Sequence, residues 1–200
     1  VAEVKALIEN GLKEACIISQ ETTYYGRDID RTYHLPALLN ELDKLDGLRW
    51  IRLFYNHPMH MDDSIMEAMA RCKKVVPYVD MPLQHINNRL LKSMNRGVTK
   101  ERTVRLLNEI PHAILRTTFI VGYPGETVSE FDELCEFVKG IQFDHVGIFT
   151  YSRETDVPSG HLPNQLSASV KKDRYRKLME IQQSISLKQN QKLLASTQEV

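Results

Sequence analysis

The sequence predicts an α/β fold, arranged as a partial, open TIM-type barrel of parallel strands. Short apolar runs alternate with helical stripes over five successive units, and right-handed crossovers between such units leave parallel pairing as the expected arrangement. Runs such as Phe119-Ile120-Val121 lack the in-and-out alternation of a half-solvated strand, as expected where both faces are covered. A closed barrel of eight units takes about 250 residues. With 200 residues, five visible strands and an opening helix that lacks a strand of its own, the pattern indicates a barrel missing its first unit. An open, doubly wound sheet is the alternative, and periodicity does not separate the two.

Taken in order, Val1, Val4, Leu7 and Ile8 mark one face of a helix that ends at Gly11. A short strand over 14–19 and a polar loop over 20–26 follow. Leu35, Leu38, Leu39, Leu42 and Leu45 form the next stripe, with Pro36 tolerated in its first turn and Gly47 beyond its end. The second strand is expected over 48–55. Asp62 or Asp63 caps a helix carrying Ile65, Met66 and Met69, and 75–81 forms the third strand. Asn87 starts a short helix closed by Gly97, and Thr99 starts another through Val104, Leu107 and Ile110.

The central strand, 113–121, stops in a Gly122-Tyr-Pro-Gly125 turn. Thr127 and Glu130 then have the Thr-x-x-Glu spacing of a capping box, in which each side chain satisfies one orphan N–H. Phe131, Leu134, Cys135 and Val138 repeat at helical spacing, with Gly140 as the stop. The fifth strand is 145–150. A loop holding Pro158, Gly160 and Pro163 leads to a long helix from about Ser167, with Val170, Leu178, Ile181 and Ile185 facing inward.

A chain that is 42% hydrophobic and 26% charged can bury one sizeable core, so one domain is the expectation. Lys+Arg 26 against Asp+Glu 26 leaves net charge +0, so no overall basic field advertises a nucleic-acid partner. No apolar run approaches a membrane span. The opening Val-Ala-Glu-Val-Lys resembles neither a signal peptide nor a natural start, so the chain reads as soluble and cut from something longer. Cys16, Cys72 and Cys135 lie far apart within apolar patterns, which argues against a disulfide framework and fits a reducing cytoplasm.

Both candidate architectures place function at the carboxyl ends of their strands. The residues there are Gln20, Thr22 and Thr23; Asn56, His57 and His60; Gln84 and His85; 122–126; and Tyr151, Ser152 and Arg153. All are expected to open on one mouth. Pro82 fixes the backbone ahead of Gln84 and His85 and so aims them. Arg116 lies inside a strand expected to be buried on both faces, where a charge is costly unless paired. It is expected to hold an anionic group such as a carboxylate, or a neighbouring acid. His57-Pro-Met-His60 offers two metal-binding side chains, a weak signal alone. The chain contains no P-loop, Gly-x-Gly-x-x-Gly, Gly-x-Ser-x-Gly or His-Glu-x-x-His motif.

Five segments taken together resemble one family. They are Gln20-Glu-Thr-Thr-Tyr-Tyr-Gly26, Asp80-Met-Pro-Leu-Gln-His85, Leu91-Lys-Ser-Met-Asn-Arg96, Arg116-Thr-Thr-Phe-Ile-Val-Gly-Tyr-Pro-Gly-Glu126 and Phe143-Asp-His-Val-Gly-Ile-Phe-Thr-Tyr-Ser152. In this order they resemble the radical S-adenosylmethionine (SAM) core of the methylthiotransferases. The resemblance implies a reaction in which a reduced 4Fe–4S cluster splits SAM to give a 5′-deoxyadenosyl radical, sulfur enters the substrate C–H, and a second SAM supplies the methyl group. The tRNA-modifying branch usually carries Pro-x-Gln-Ser-Gly where this chain has Pro82-Leu-Gln-His85, and lacks the Phe-Asp-His-Val-Gly pattern. The favoured substrate is therefore an aspartate of the twelfth small-subunit ribosomal protein; tRNA is the alternative, and a cluster-less barrel serving as a binding module is a third reading.

One departure is decisive. The family holds its SAM-binding cluster in a Cys-x-x-x-Cys-x-x-Cys loop, and no such loop exists in this sequence. The resemblance places it upstream of the first helix, so 1–187 is expected to be a radical SAM core without its first strand, 188–200 the run into a TRAM domain, and the piece alone inactive. It further implies that Gln20, Thr23, Gln84, Arg116 and Glu126 line the SAM pocket, with Arg116 on the methionyl carboxylate. Gly122 would let the backbone approach the adenosine, and His57, His85 and Tyr151 would shape the substrate end.

Overall fold

Three strands, β1 (Glu14–Ile17), β2 (Trp50–Leu53) and β3 (Val75–Asp80), pair in parallel in sequence order, with a register shift between β2 and β3. The structure, a computed structural model, describes the chain apart from Tyr33, Pro111, Ala195 and 198–200. It divides into two units. One is Val1–Pro82 with Arg102–Leu115, and the other is Leu83–Glu101 with Arg116–Val200.

In the first unit, helices α1 (Ala2–Glu9), α2 (Arg27–Asp30), α3 (Leu35–Asp43) and α4 (Asp63–Arg71) accompany the three strands. Helix α3 begins with Pro36 in its first turn and buries Leu35, Leu39 and Leu42, the i, i+4, i+7 face of an amphipathic helix. Asp62 caps α4 by accepting the Ile65 N–H at 3.0 Å. These helices cover Ile51, Leu53 and Val79 of the strands, all buried.

In the second unit, β4 (Ile114–Val121) and β5 (His145–Thr150) are parallel and stay in register from Arg116 opposite His145 to Val121 opposite Thr150. Gln84 adds one further bridge to Phe119. Its N–H donates to the Thr118 carbonyl and its carbonyl accepts the Ile120 N–H, both at 2.8 Å. Helices α5 (Asn88–Ser93), α7 (Val128–Ile141) and α8 (Ala168–Leu193) belong to this unit, while α6 (Lys100–Asn108) lies for the most part in the first. Phe119, Phe137 and Phe143 meet edge to face, with ring centroids 5.7–6.3 Å apart, a geometry that adds to area burial. Leu134, Val138 and Leu178 pack this core without exposed surface.

The elements and their order match the reading from sequence, and the differences are local. β1 and β2 are shorter than expected, the polar loop over 20–26 contains a 3₁₀ turn, Thr22–Tyr24, and the short α2 follows it. Gly140 does not stop α7. The helix runs one residue further, and Gln142 takes the left-handed conformation at φ 59°. Val170 is exposed, and the buried face of α8 is Arg174, Leu178, Gln182 and Ile185. That helix crosses 187–188 without a break; Ala195 and 198–200 of the expected run-in lie outside the described residues.

Candidate functional site

In the first unit the loops that follow the three strands are tied to one another. The Thr22 N–H donates to the Tyr55 carbonyl at 3.1 Å, and the His57 N–H donates to Thr23 Oγ1 at 3.0 Å. The Asn56 N–H and its side-chain amide both donate to the Asp80 carbonyl, at 2.9 and 3.1 Å. Asp80 Oδ2 accepts the Tyr55 N–H at 3.1 Å. Thr22, Thr23, Asn56 and Asp80 are buried, so this frame is shielded from water. Glu21, His57 and His60 stand on it, with His60 Nδ1 hydrogen-bonded to the Glu21 carboxylate. Gln20 is exposed at the rim. Asn56 Oδ1 is buried and has no donor among the described residues. A buried acceptor left in this way is one that a bound ligand can satisfy.

In the second unit the site is the turn between β4 and α7. Gly122 has φ +75°, and a Cβ there would run into the Lys171 side chain of α8, so both backbone and space require glycine. Glu126 has a side chain with no exposed surface. Its carboxylate accepts the Gly122 N–H, pairs with Arg174 Nη1 at 2.7 Å and meets His85 Nε2 at a longer 3.3 Å. The Asn87 N–H donates to His85 Nδ1 at 3.0 Å, which leaves the ring proton on Nε2, facing the carboxylate. Arg174 also donates to the Glu126 carbonyl at 3.0 Å.

The helix that follows is capped as its sequence demands. Thr127 Oγ1 accepts the Glu130 N–H at 3.3 Å and Glu130 Oε2 accepts the Thr127 N–H at 2.8 Å. Arg89 of α5 grips the same carboxylate through two bonds of 2.6 and 2.7 Å and donates to the Gly125 carbonyl at 2.8 Å. The Arg89 guanidinium, against the contrary push of burial and with help from Thr127, holds the Glu130 carboxyl down at about 2.

Of the residues proposed from sequence, two have side chains outside the hydrogen-bond network described above. These are exposed Gln20 and half-buried Gln84, the latter at φ 70°. Thr23 is buried and engaged with the His57 backbone. His85 is buried and meets the Glu126 carboxylate. Tyr151 packs its ring on Tyr123 at 5.3 Å and donates its hydroxyl to Ser159 Oγ at 3.1 Å. Gly122 cannot admit a ligand on the side that Lys171 fills.

Arg116 corrects the expectation of a buried charge. It is exposed, near the amino end of β4, about 16 Å along the strand from Val121 at 3.3 Å per residue. The buried, paired arginine is Arg174, which sequence reading missed. Its signal was present: Arg174 lies four residues before Leu178 on the apolar stripe of α8, where a charge needs a partner.

Radical SAM chemistry requires three thiolates for its cluster. Cys16 is exposed on β1, and Cys72 and Cys135 are buried. Cys72 donates to Asn40 Oδ1 at 3.4 Å, and burial pushes the Cys135 thiol up to about 11, so neither offers a ready thiolate. These cysteines do not fit a cluster. In the first unit Gln20 and the orphaned Asn56 Oδ1, and separately in the second unit Gln84, offer hydrogen-bonding groups that ammonium, carboxylate or hydroxyl groups such as those of SAM can engage.

The radical SAM superfamily pattern matches residues 1–138. Among curated proteins the chain is 43% identical over 203 residues to the ribosomal protein uS12 methylthiotransferase RimO of Desulforamulus reducens, 47% over 204 to that of Heliobacterium modesticaldum and 44% over 204 to that of Clostridioides difficile. Each alignment takes in 100% of this chain and 46%, 44% and 46% of the relative; the chain thus spans less than half their length. Among solved structures it is similar to Escherichia coli coproporphyrinogen III oxidase HemN, with TM-score 0.61 and 17% identity over 75% of this chain and 37% of that one. Elp3 of Methanocaldococcus infernus gives 0.56 and 14% over 92% and 48%. These structural likenesses carry the partial-barrel fold. The superfamily pattern, spanning more than half its length, places this chain in the radical SAM superfamily.

Proposed function

We propose that this chain is the central part of a cytoplasmic radical SAM methylthiotransferase whose substrate is the ribosomal protein uS12. The observation that carries the reading is identity of 43–47% across the whole chain to proteins of that name. When bound, the family's SAM and 4Fe–4S clusters supply the radical, sulfur-insertion and methyl-transfer chemistry. This chain's residues have narrower tasks. Gln84 contacts SAM through its side-chain amide. Glu126, clasped by Arg174 and His85, fixes the turn after β4, and the Thr22–Thr23 ties hold the loop that bears Gln20. Such positioning gains rate by removing freedom before the chemical step.

In the full-length enzyme with its clusters reconstituted, one aspartate of uS12 is expected to gain a methylthio group. Modification of tRNA and not of uS12 would establish the alternative substrate. Gln84→Gly separates position from function, because a side chain at positive φ carries strain of about 1 kcal/mol that glycine relieves. The variant is expected to unfold at equal or higher denaturant concentration while binding SAM about tenfold more weakly. Unchanged SAM affinity removes Gln84 from the binding residues.

A further inference from the structure

We propose that Glu21, His57 and His60 form a mononuclear site for a divalent transition-metal cation of the Zn²⁺ class, with a further coordination position open to water. One ring nitrogen of each histidine and one carboxylate oxygen of Glu21 lie within 4.8 Å of one another, and all three residues are half-buried. The two imidazoles approach with centroids 5.5 Å apart, and Tyr24 packs on the far side of His60 at 5.0 Å. Two neighbouring imidazoles and a carboxylate suit a borderline cation. Ca²⁺ and Mg²⁺ prefer sites made of oxygen alone. His₂Glu is also a donor set from which zinc keeps a position for water.

The frame beneath these side chains is built before any cation arrives. The backbone of His57 is fixed by Thr23, and the turn after it closes with the His60 and Met61 N–H groups both donating to the His57 carbonyl at 3.0 and 3.1 Å. Four-coordinate zinc with bonds of about 2.0–2.2 Å sets its ligand atoms about 3.3 Å apart. Side-chain rotation on this fixed backbone closes the remaining gap. Capture replaces the hydrogen bond between His60 and Glu21 and, where His57 binds through Nδ1, the one from the Met59 N–H at 3.1 Å; Met59 is exposed, so water takes over its amide. The cation would staple the loop after β1 to the loop after β2, with Gln20 and Thr23 flanking Glu21. The proposal stands on these residues alone and does not depend on the methylthiotransferase reading.

The test uses the 200-residue chain, stripped with a chelator and titrated with Zn²⁺ by calorimetry and with Co²⁺ by visible absorption. One equivalent is expected to bind, with the d–d intensity of four- or five-coordinate cobalt, no thiolate charge-transfer band, and a higher Tm. Glu21→Gln and the double variant His57→Gln with His60→Gln should weaken binding by about 100-fold or more, since loss of outer-shell partners alone costs 10–100-fold. His161→Ala should leave it unchanged. Affinity should fall on acidification, because protons compete with the cation for its ligand atoms. A dissociation constant weaker than about 1 mM, a thiolate band that places cobalt on a cysteine, or equal affinity in the double variant overturns the proposal. The band is read on the unaltered chain, so the proposal stays refutable even if a variant does not fold.

Discussion

A carboxylate without exposed surface persists only when its charge and lone pairs are answered. For Glu126 the answers are the Gly122 N–H, His85 and Arg174. Arg174→Met removes the paired guanidinium and leaves a buried acid short of its partner, a defect that costs about 3–5 kcal/mol. The measurement is urea unfolding. Arg174→Met combined with Glu126→Gln is expected to lose less than Arg174→Met alone, because the second change removes the charge that the first strands. Equal loss in both would mean that Arg174 acts through its packing over the Phe131 ring, 5.4 Å away, rather than through the ion pair.

At the scale of elements, the Thr127–Glu130 box shows how a local pattern becomes a stable helix start, and Arg89 adds acid sensitivity to it. Glu130 has its carboxyl depressed from 4.5 to about 2, so it binds protons more readily when the chain is unfolded. Its contribution is therefore complete above about pH 5 and is lost as pH falls toward 2. Arg89 is more than half exposed, which screens the pair and limits the contribution to about 1 kcal/mol or less. Arg89→Ala should flatten stability against pH over that window and leave stability near pH 7 lower. A slope unchanged by the substitution would assign the acid sensitivity to other carboxylates.

This element was legible because caps are written in adjacent residues: Thr127, Glu130, Asp62, Asn87 and Ser167 all cap where the sequence places them. Gln84 was less so. Its bridge to β4 in a left-handed conformation follows from a strand distant in sequence, and no local preference of glutamine announces it.

For the whole molecule, five apolar runs and their intervening stripes were enough for the fold class, since alternation of period constrains topology strongly. The candidate site was read less completely. The carboxyl ends of β4 and β5 fall where the sequence places them, but which side chains are committed inward depends on α8, whose Lys171 and Arg174 reach back over a long stretch of sequence. Arg116 failed for a related reason. A residue near the amino end of a strand has the same neighbours in sequence as a buried one and differs only in what covers it. The cysteines support one further expectation. The chain alone should release no 5′-deoxyadenosine from SAM under reducing conditions with iron and sulfide supplied; release at a catalytic rate would show that Cys16, Cys72 or Cys135 can after all hold a cluster.

The clasp of α8 on the turn after β4 bears on how pieces of such proteins are cut. The superfamily pattern stops at residue 138, and a truncated version ending there would keep Gly122 and Glu126 but discard β5, Lys171 and Arg174. Its acid would be stranded without a counter-ion, and the glycine turn would lose its lid. The smallest self-sufficient piece is therefore set by a helix that the recognisable motif does not include.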